Sequence, residues 1–547
     1  MKTLLVVFLT AGMCIASSAP QPPVILGLLN NYSFVQPGLP NYGIAQGSIF
    51  DIFGTNLADE SGPLQSVPLK TTLSGVSASV TVAGATVPLI LYFVQPGQVA
   101  AILPSSTPPG SGNVTLTNKG QTSLPFPIQV IPSAFGVLTL NGEGYGAAAV
   151  FDSTYALLDF TKAINPGESI TIWGTGLGPV TEDETNFQTQ QDLVNIPIEV
   201  DIGGVPATVL YHGRSSYPGL DQINAIVPPG LHGCFVSMVV KTGSVISNFA
   251  TIPVADSGRT CSDPILGVSA AQLQTLGSDS FFVRGTIVLN KDVTRTPGAT
   301  PTVSTTESAS ALFIDVPGTL SLTGNLFAGL GASLGSCMVY GIDSSGKIVG
   351  PDFTRGTSLD AGSALMVSGP NGSSRMAVAD PSKIYLYTEV FNPGFIPDTG
   401  GTFSFDHIPN DPETGADIKV PIGARITMPP PLVWSNQSGI TSVNRSAGVT
   451  VKWTGGDPGT YVSIVGSSIL SAGSQVGAYF NCSAPLSEGE FSVPATVLMS
   501  LPPSTQVSAS TFLRVGNITS AQNFSTAGVD IGIISAGWSF TTNLTYQ

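Results

Sequence analysis

Two tripeptides, Asp256-Ser-Gly258 and Asp398-Thr-Gly400, carry the residue types of a paired-carboxylate hydrolase, in which two such turns hold a water between carboxyls of unlike protonation. Asp, Ser, Thr and Gly also produce these letters freely in ordinary turns, and Asp256 falls where a repeat ends, so turn formation is the expected role of both. Gly331-Ala-Ser-Leu-Gly335 spells a nucleophile elbow, which needs a parallel strand before it and a helix after it. No strand–helix alternation surrounds it, and His212, His232 and His407 stand in no triad order. Those histidines do not pair at zinc-ligand spacing, and the chain has no Cys-x-x-Cys. Asp406, Asp411, Glu413 and Asp417 share one loop and are candidate calcium ligands, as are Glu182, Asp183 and Glu184. Neither group has EF-hand spacing, and a solvated acidic loop is the competing reading. The sequence assigns no catalytic residue and no cofactor.

Aromatic side chains offer a different chemistry, stacking on sugars or gripping a partner. Tyr211 and Tyr217 flank the segment Gly213-Arg-Ser-Ser216 and form the candidate binding surface. Trp173 and Trp453 sit inside strand patterns and are expected in cores. Gln222 and Asn224 are expected to hydrogen-bond the backbone of a neighbouring loop.

These residues must be positioned by strands. The chain has 547 residues, 10% of them charged, with 63 Gly and 43 Pro, a composition of short strands joined by many turns. A formal charge of −15 excludes a phosphate-neutralising surface and therefore nucleic acid. Met1-Lys2, the apolar stretch from Leu4 and the small residues Ala16 to Ala19 predict a signal peptide over 1–18 and a secreted or extracytoplasmic protein. Met13 stands before Cys14, where lipid attachment wants a small residue. No later apolar run is long enough to span a bilayer, and no anchor tail is expected at the C-terminus. Cys234, Cys261, Cys337 and Cys482 remain for two disulfides. Of the three connectivities, Cys234–Cys261 closes a short loop within one module, and Cys337–Cys482 follows by elimination.

The chain repeats itself. Ile44 to Leu57 (IAQGSIFDIFGTNL) returns as Ile164 to Leu177 (INPGESITIWGTGL), and Gln98 to Pro104 returns as Gln222 to Pro228. Tyr92 and Tyr211 keep nearly the same spacing. Ile196 to Ile202 alternate apolar and polar, Gly203-Gly204 turns the chain, and Phe235 to Val254 reads as a closing hairpin, the pattern of a β-sandwich. The order of these blocks, with Gly-Gly-Val-Pro-Ala207 and Ser-Asn248, resembles the IPT/TIG-like immunoglobulin module of secreted acidobacterial proteins of the Solibacter type. The second copy fits better than the first, which has Asn56 in place of Gly176. The resemblance covers about Pro22 to Gly258; it implies fold and export and carries no activity.

The expected architecture is all-β: tandem immunoglobulin-like sandwiches over 22–132 and 133–258, a β-rich domain over 265–428, and a C-terminal sandwich over 432–547. Thr296 to Ser310 reads as a mobile or O-glycosylated loop, Met428-Pro-Pro-Pro431 as a linker and Phe491 to Leu501 as a strand. The function expected is that of a secreted, non-enzymatic binding or scaffold protein that presents loops to an extracellular polysaccharide or protein. The competing reading is an extracellular hydrolase of polysaccharide or peptide with the repeats as accessory modules.

Overall fold

The computed structural model describes residues 21–547 apart from 64, 299, 320–330, 351–354, 381–383, 409–421 and 472–473. The predicted signal segment lies outside the described residues, as do Asp411, Glu413 and Asp417 of the acidic loop.

The protein is all-β. In the first repeat, one sheet orders the strands Val24–Asn30, Ile49–Thr55, Gln98–Ile102 and Ile90–Val94. It faces a second sheet built on Phe126–Ile131, Gly110–Asn118 and Val76–Val82. Val76, Ala78, Val80 and Val82 alternate with polar residues, so one face of that strand enters the core between the sheets. The second repeat does the same, with Ser169–Thr175 between Asp221–Ile226 and the short strands Gly136–Val137 and Val150–Asp152.

The two copies agree in register. Phe50 lies opposite Ala101, and Ile170 opposite Ala225. A parallel pairing of Ile44 with Val130 returns as Ile164 with Val254. Both copies carry a bulge in the equivalent strand, between Leu91 and Phe93 and between Val209 and Tyr211. The register makes Phe50 the counterpart of Ile170, while Ile49 turns to the opposite face and packs with Leu69, Ile90 and Ile102. Asn56 and Gly176 share one slot with φ of 56° and 101°, a left-handed position that Asn tolerates better than most residues.

Beyond Cys261 a capped helix, Ala270–Ser278, leads into one large sheet. Its spine is Phe281–Thr296, antiparallel to Thr302–Pro317 along its whole length and parallel to Ile531–Asn543 from Arg284 to Arg295. Strands from 281–428 and from 432–547 therefore share a single sheet. Met428-Pro-Pro-Pro431 is packed: Trp538 Nε1 donates to Pro429 O at 2.6 Å and Asn517 Nδ2 to Pro430 O at 2.9 Å. The sequence between Thr302 and Ser310, expected as a loop, is strand, because Thr and Val fit a pleated surface and the partner strand supplies every pairing. The strand expected over Phe491 to Leu501 stops at Val493; Pro494 has no N–H to donate, and the helix Ala495–Met499 follows.

Both expected disulfides form, Cys234–Cys261 and Cys337–Cys482. Among the described residues no helix is long and apolar enough to cross a membrane.

Candidate functional site

The two repeats meet through a polar joint. Arg214 ends the strand Thr208–Arg214 of the second module, paired with Gln191 on one side and Asp221 on the other, and is fully buried. Its Nε donates to Asp221 Oδ1 at 2.6 Å, and its Nη2 crosses to Gly47 O of the first module at 2.9 Å. The other Asp221 oxygen accepts from Gly176 N and Leu177 N at 2.7 and 2.8 Å. Glu184 reaches across to accept from Ser105 N and Ser105 Oγ at 2.7 and 2.9 Å. Thr175 Oγ1 accepts from Ile49 N at 2.9 Å, Leu69 N donates to Thr185 O at 2.7 Å, and the Tyr92 hydroxyl donates to Pro218 O. Only Pro132 to Phe135 separate the last strand of one module from the first of the next. A short connection with this many cross-bonds fixes the angle between the modules.

Asp51 lies near this joint, where the second repeat has Thr171, and is fully buried. Asn31 Nδ2 donates to it at 2.8 Å, yet burial pushes its carboxyl up to about 6. An unfolded Asp titrates near 3.9. Between these values the folded chain holds a proton that the unfolded chain has lost, so this group's contribution to stability falls as pH rises through the window, by about 3 kcal/mol. Asp51→Asn is expected to flatten that slope and raise stability at neutral pH. Urea unfolding at about pH 4 and about pH 7 checks it, and an unchanged slope would contradict the assignment.

A cleft opens where three parts of the molecule converge. One wall is the Ser33 to Asn41 loop of the first module, another the Glu143 to Tyr145 turn and Ile246 to Phe249 of the second, and the third Val339 to Gly341 with Ile348 and Val349 of the large sheet. Its outer part has a volume of about 490 Å³. Local chemistry sets each wall. Asn30 Oδ1 accepts from Tyr32 N and Ser33 N at 2.9 and 3.0 Å, turning the chain after its strand. Asn141 Oδ1 accepts from Thr139 Oγ1 and Glu143 N, shaping the second wall. A Cβ on Gly144 would stand 2.7 Å from Ser33 O, so glycine there lets the two modules touch. Asn41 Oδ1 accepts from Ile246 N at 3.2 Å.

The cleft joins aromatic and charged groups. Phe34 sits at φ 51°, a strained setting for an aromatic residue and one met at functional sites. Glu143 accepts from the Tyr145 hydroxyl and from Arg355 Nη1, the latter at 2.7 Å. Tyr145 packs edge-on to Tyr340 at 6.4 Å, and Asp343 and Lys347 complete the rim. Two carboxylates, two cations and aromatic faces suit a hydroxyl-rich ligand that offers both hydrogen-bonding groups and apolar C–H faces. Nothing in the sequence pointed here, because the contributing segments are far apart along the chain and none forms a motif.

The residues singled out by sequence are dispersed. The Tyr211 hydroxyl donates to Gln191 O and Arg214 O, both at 3.3 Å. Tyr217 packs edge-on to exposed Phe187 at 5.8 Å and lies 6.2 Å from Tyr92. Asp256 faces His232, whereas Asp398 faces Lys291, so the two Asp-Ser/Thr-Gly turns have different partners. Ser333 of Gly331 to Gly335 is buried, donating to Asp263 Oδ2 at 2.6 Å and accepting from Phe235 N at 3.0 Å, a structural tie rather than an exposed nucleophile. Asp406 lies on the strand Gly401–His407. In the other acidic run, Glu184 points inward to the joint, Asp183 accepts from Thr185 and Asn186, and Glu182 accepts from Thr189 N. Among the described residues no three His, Cys, Asp or Glu side chains converge as a metal site. Gln222 and Asn224 bond each other at 2.9 Å instead of a loop backbone. Trp453 is buried as expected, and Trp173 is half-buried.

No family model and no curated protein matches the chain. Solved structures match at low likeness. The plexin A4 extracellular region shares 12% identity over 43% of this chain and 19% of that one, with a TM-score of 0.16. SGBP-B from a xyloglucan utilization locus of Bacteroides uniformis shares 12% over 86% and 87%, with a TM-score of 0.15. Domains 5–6 of the S-layer protein SbsC share 13% over 43% and 99%, with a TM-score of 0.14. The chain spans 19% of the length of plexin A4, and likewise 19% of a putative phosphatase from Bacteroides thetaiotaomicron. Likeness at this level assigns nothing to the cleft.

Proposed function

We propose that the chain is an exported, non-enzymatic binding protein whose three-module cleft receives a saccharide unit of an extracellular polymer. The carrying observation is the cleft itself: a ligand-sized concavity at a module interface, lined by Phe34 and Tyr145 beside the Glu143–Arg355 pair. Two disulfides support export, since such bonds persist in oxidising compartments. The rigid joint supports a binding role, because it holds one wall of the cleft in register with the next. The hydrolase reading gains no support from the two Asp turns, which face different partners.

The test is a glycan array followed by titration calorimetry on the full chain. Glu143→Gln and Arg355→Ala are each expected to weaken binding at least about tenfold, since a hydrogen bond to a charged group is worth roughly 1.5–3 kcal/mol. Absence of binding to any glycan, or affinity indifferent to both variants, would remove the cleft as the site.

A further inference from the structure

Away from the cleft, on the large sheet, one lysine is held in an arrangement suited to covalent chemistry. Lys291 lies directly opposite Glu307 on the paired strands Phe281–Thr296 and Thr302–Pro317. Both side chains are withdrawn from water, 7% and 3% exposed. Lys291 Nζ has three acceptors: Ile396 O at 2.7 Å, Asp398 Oδ1 at 2.8 Å and Glu307 Oε1 at 3.0 Å. The Trp538 ring covers it, 5.0 Å from nitrogen to centroid. Glu307 also fixes the loop that carries the aspartate, accepting from Gly394 N at 3.0 Å and Ile396 N at 2.7 Å. Phe391 and Phe395, stacked at 4.1 Å, brace the same loop. Asp398 is thus delivered to the lysine by a rigid segment, although its own side chain is 92% exposed.

We propose that Lys291 and Asp398 condense into a side-chain amide, with Glu307 as the proton-transfer group, so that this site is an intramolecular cross-link. Glu307 takes one proton from the ammonium, and the freed nitrogen lone pair attacks Asp398 Cγ. The C–N bond forms and one C–O bond breaks. The departing oxygen takes the proton held by Glu307 and a second from the nitrogen, and leaves as water. An ammonium and a carboxylate become a neutral amide and one water, with no oxidant, reductant or cofactor.

Three features favour the step. Fixing amine and carboxyl in contact replaces a bimolecular encounter with an intramolecular one, for which effective molarities of about 10⁵–10⁸ M are known. Burial opposes the Lys291 ammonium, while its contacts with Asp398 and Glu307 outweigh that and raise its pKa, which is why the step needs Glu307 to take the proton. Condensation removes the buried charge and leaves Glu307 its two backbone donors. The exposed face of Asp398 gives the released water a way out. The product ties the spine strand to the loop before Gly401–His407, 107 residues further along the chain, and constrains the unfolded state as a disulfide would, without thiols.

Mass spectrometry of the secreted full chain, after reduction of its disulfides, tests this. The expected wild-type mass is below that of the mature sequence by one water, with a peptide joining the segments of Lys291 and Asp398. Asp398→Asn is expected to lose one ammonia instead, and Asp398→Ala and Lys291→Arg to stay at full mass with unchanged circular dichroism. Because Asp398 is exposed, its variants disturb no packing. Glu307→Gln is expected to slow linkage by about 10²-fold in a refolding time course, the usual scale for a lost general base. Folded wild-type protein at full mass, with Lys291 and Asp398 unlinked in the peptide map, would overturn the cross-link and identify a buried ion pair. Normal linkage in Glu307→Gln would overturn the role of Glu307.

Discussion

Arg214→Ala is expected to destabilise the tandem modules by about 3–5 kcal/mol at neutral pH, the range for removing one partner of a buried ion pair. The loss exceeds that of a surface bridge because Asp221 would remain in the interior with only Gly176 N and Leu177 N to hold it. Burial pushes the Asp221 carboxyl up, and the Arg214 guanidinium opposes that. Without the guanidinium the folded-state pKa rises further above the unfolded value. A group shifted that way stabilises the fold while protonated and withdraws the stability as pH rises. The penalty should therefore be smaller in acid than at neutral pH. Replacing both residues, Arg214→Met with Asp221→Asn, is expected to recover part of the loss, since Asp221 no longer leaves an orphan charge while Glu184, 3.9 Å from the guanidinium, still loses its cation. The first module also loses the bond to Gly47 O, so its angle to the second should loosen. Urea unfolding at two pH values and small-angle scattering read the two effects. A loss under 1 kcal/mol, or one that does not vary with pH, would mean that the joint is not held by this pair.

This joint shows what the sequence could and could not reveal. The repeat was legible because each copy hides its own apolar residues, so Phe50 and Ile170 carry their burial in the local pattern. Both disulfides were legible, Cys234–Cys261 from compartment and loop length and Cys337–Cys482 by elimination. Arg214 was not: it stands between Tyr211 and Tyr217 in a segment that reads as an exposed loop, and its burial depends on Gly47 O, far earlier in the chain. Glu184 looked like part of an acidic run for the same reason; the Ser105 groups that turn it inward belong to the other module. The cleft was hidden likewise, since Phe34, Glu143 and Arg355 become neighbours only after three units pack. Lys291, Glu307 and Asp398 lie in stretches with no shared motif, and the hairpin that aligns the first two ran through Thr296 to Ser310, whose Ser and Thr content masked its β-branched character. In each case pairing between distant segments created the chemistry, and local periodicity could not show it.

Cys337→Ser with Cys482→Ser is expected to be the second large perturbation. The bond joins residues 145 apart, and cross-linking a loop of that length removes denatured-state entropy worth roughly 5 kcal/mol in the chain-entropy model, with measured losses of about 2–5 kcal/mol for native disulfides. Its position adds a second consequence. Cys337 begins the strand Cys337–Ile342, which lies near the end of the large sheet and pairs with Ser474–Pro485, Cys337 directly opposite Cys482. That strand supplies Val339, Tyr340 and Gly341 to the cleft. The core beneath includes Phe480, Trp453 and Val462, contributed by 432–547, so the disulfide anchors an earlier segment onto a core made mainly by later ones. Without it the hydrogen-bonded ladder from Cys337 to Ile342 must hold that segment alone. The double variant should unfold at lower urea, and its Cys337–Ile342 amides should exchange faster than those of the central spine Phe281–Thr296. Glycan affinity should fall with that protection, since one wall of the cleft is then less ordered. Equal protection of both strands would separate the disulfide from the order of the cleft and leave it a role in global stability alone.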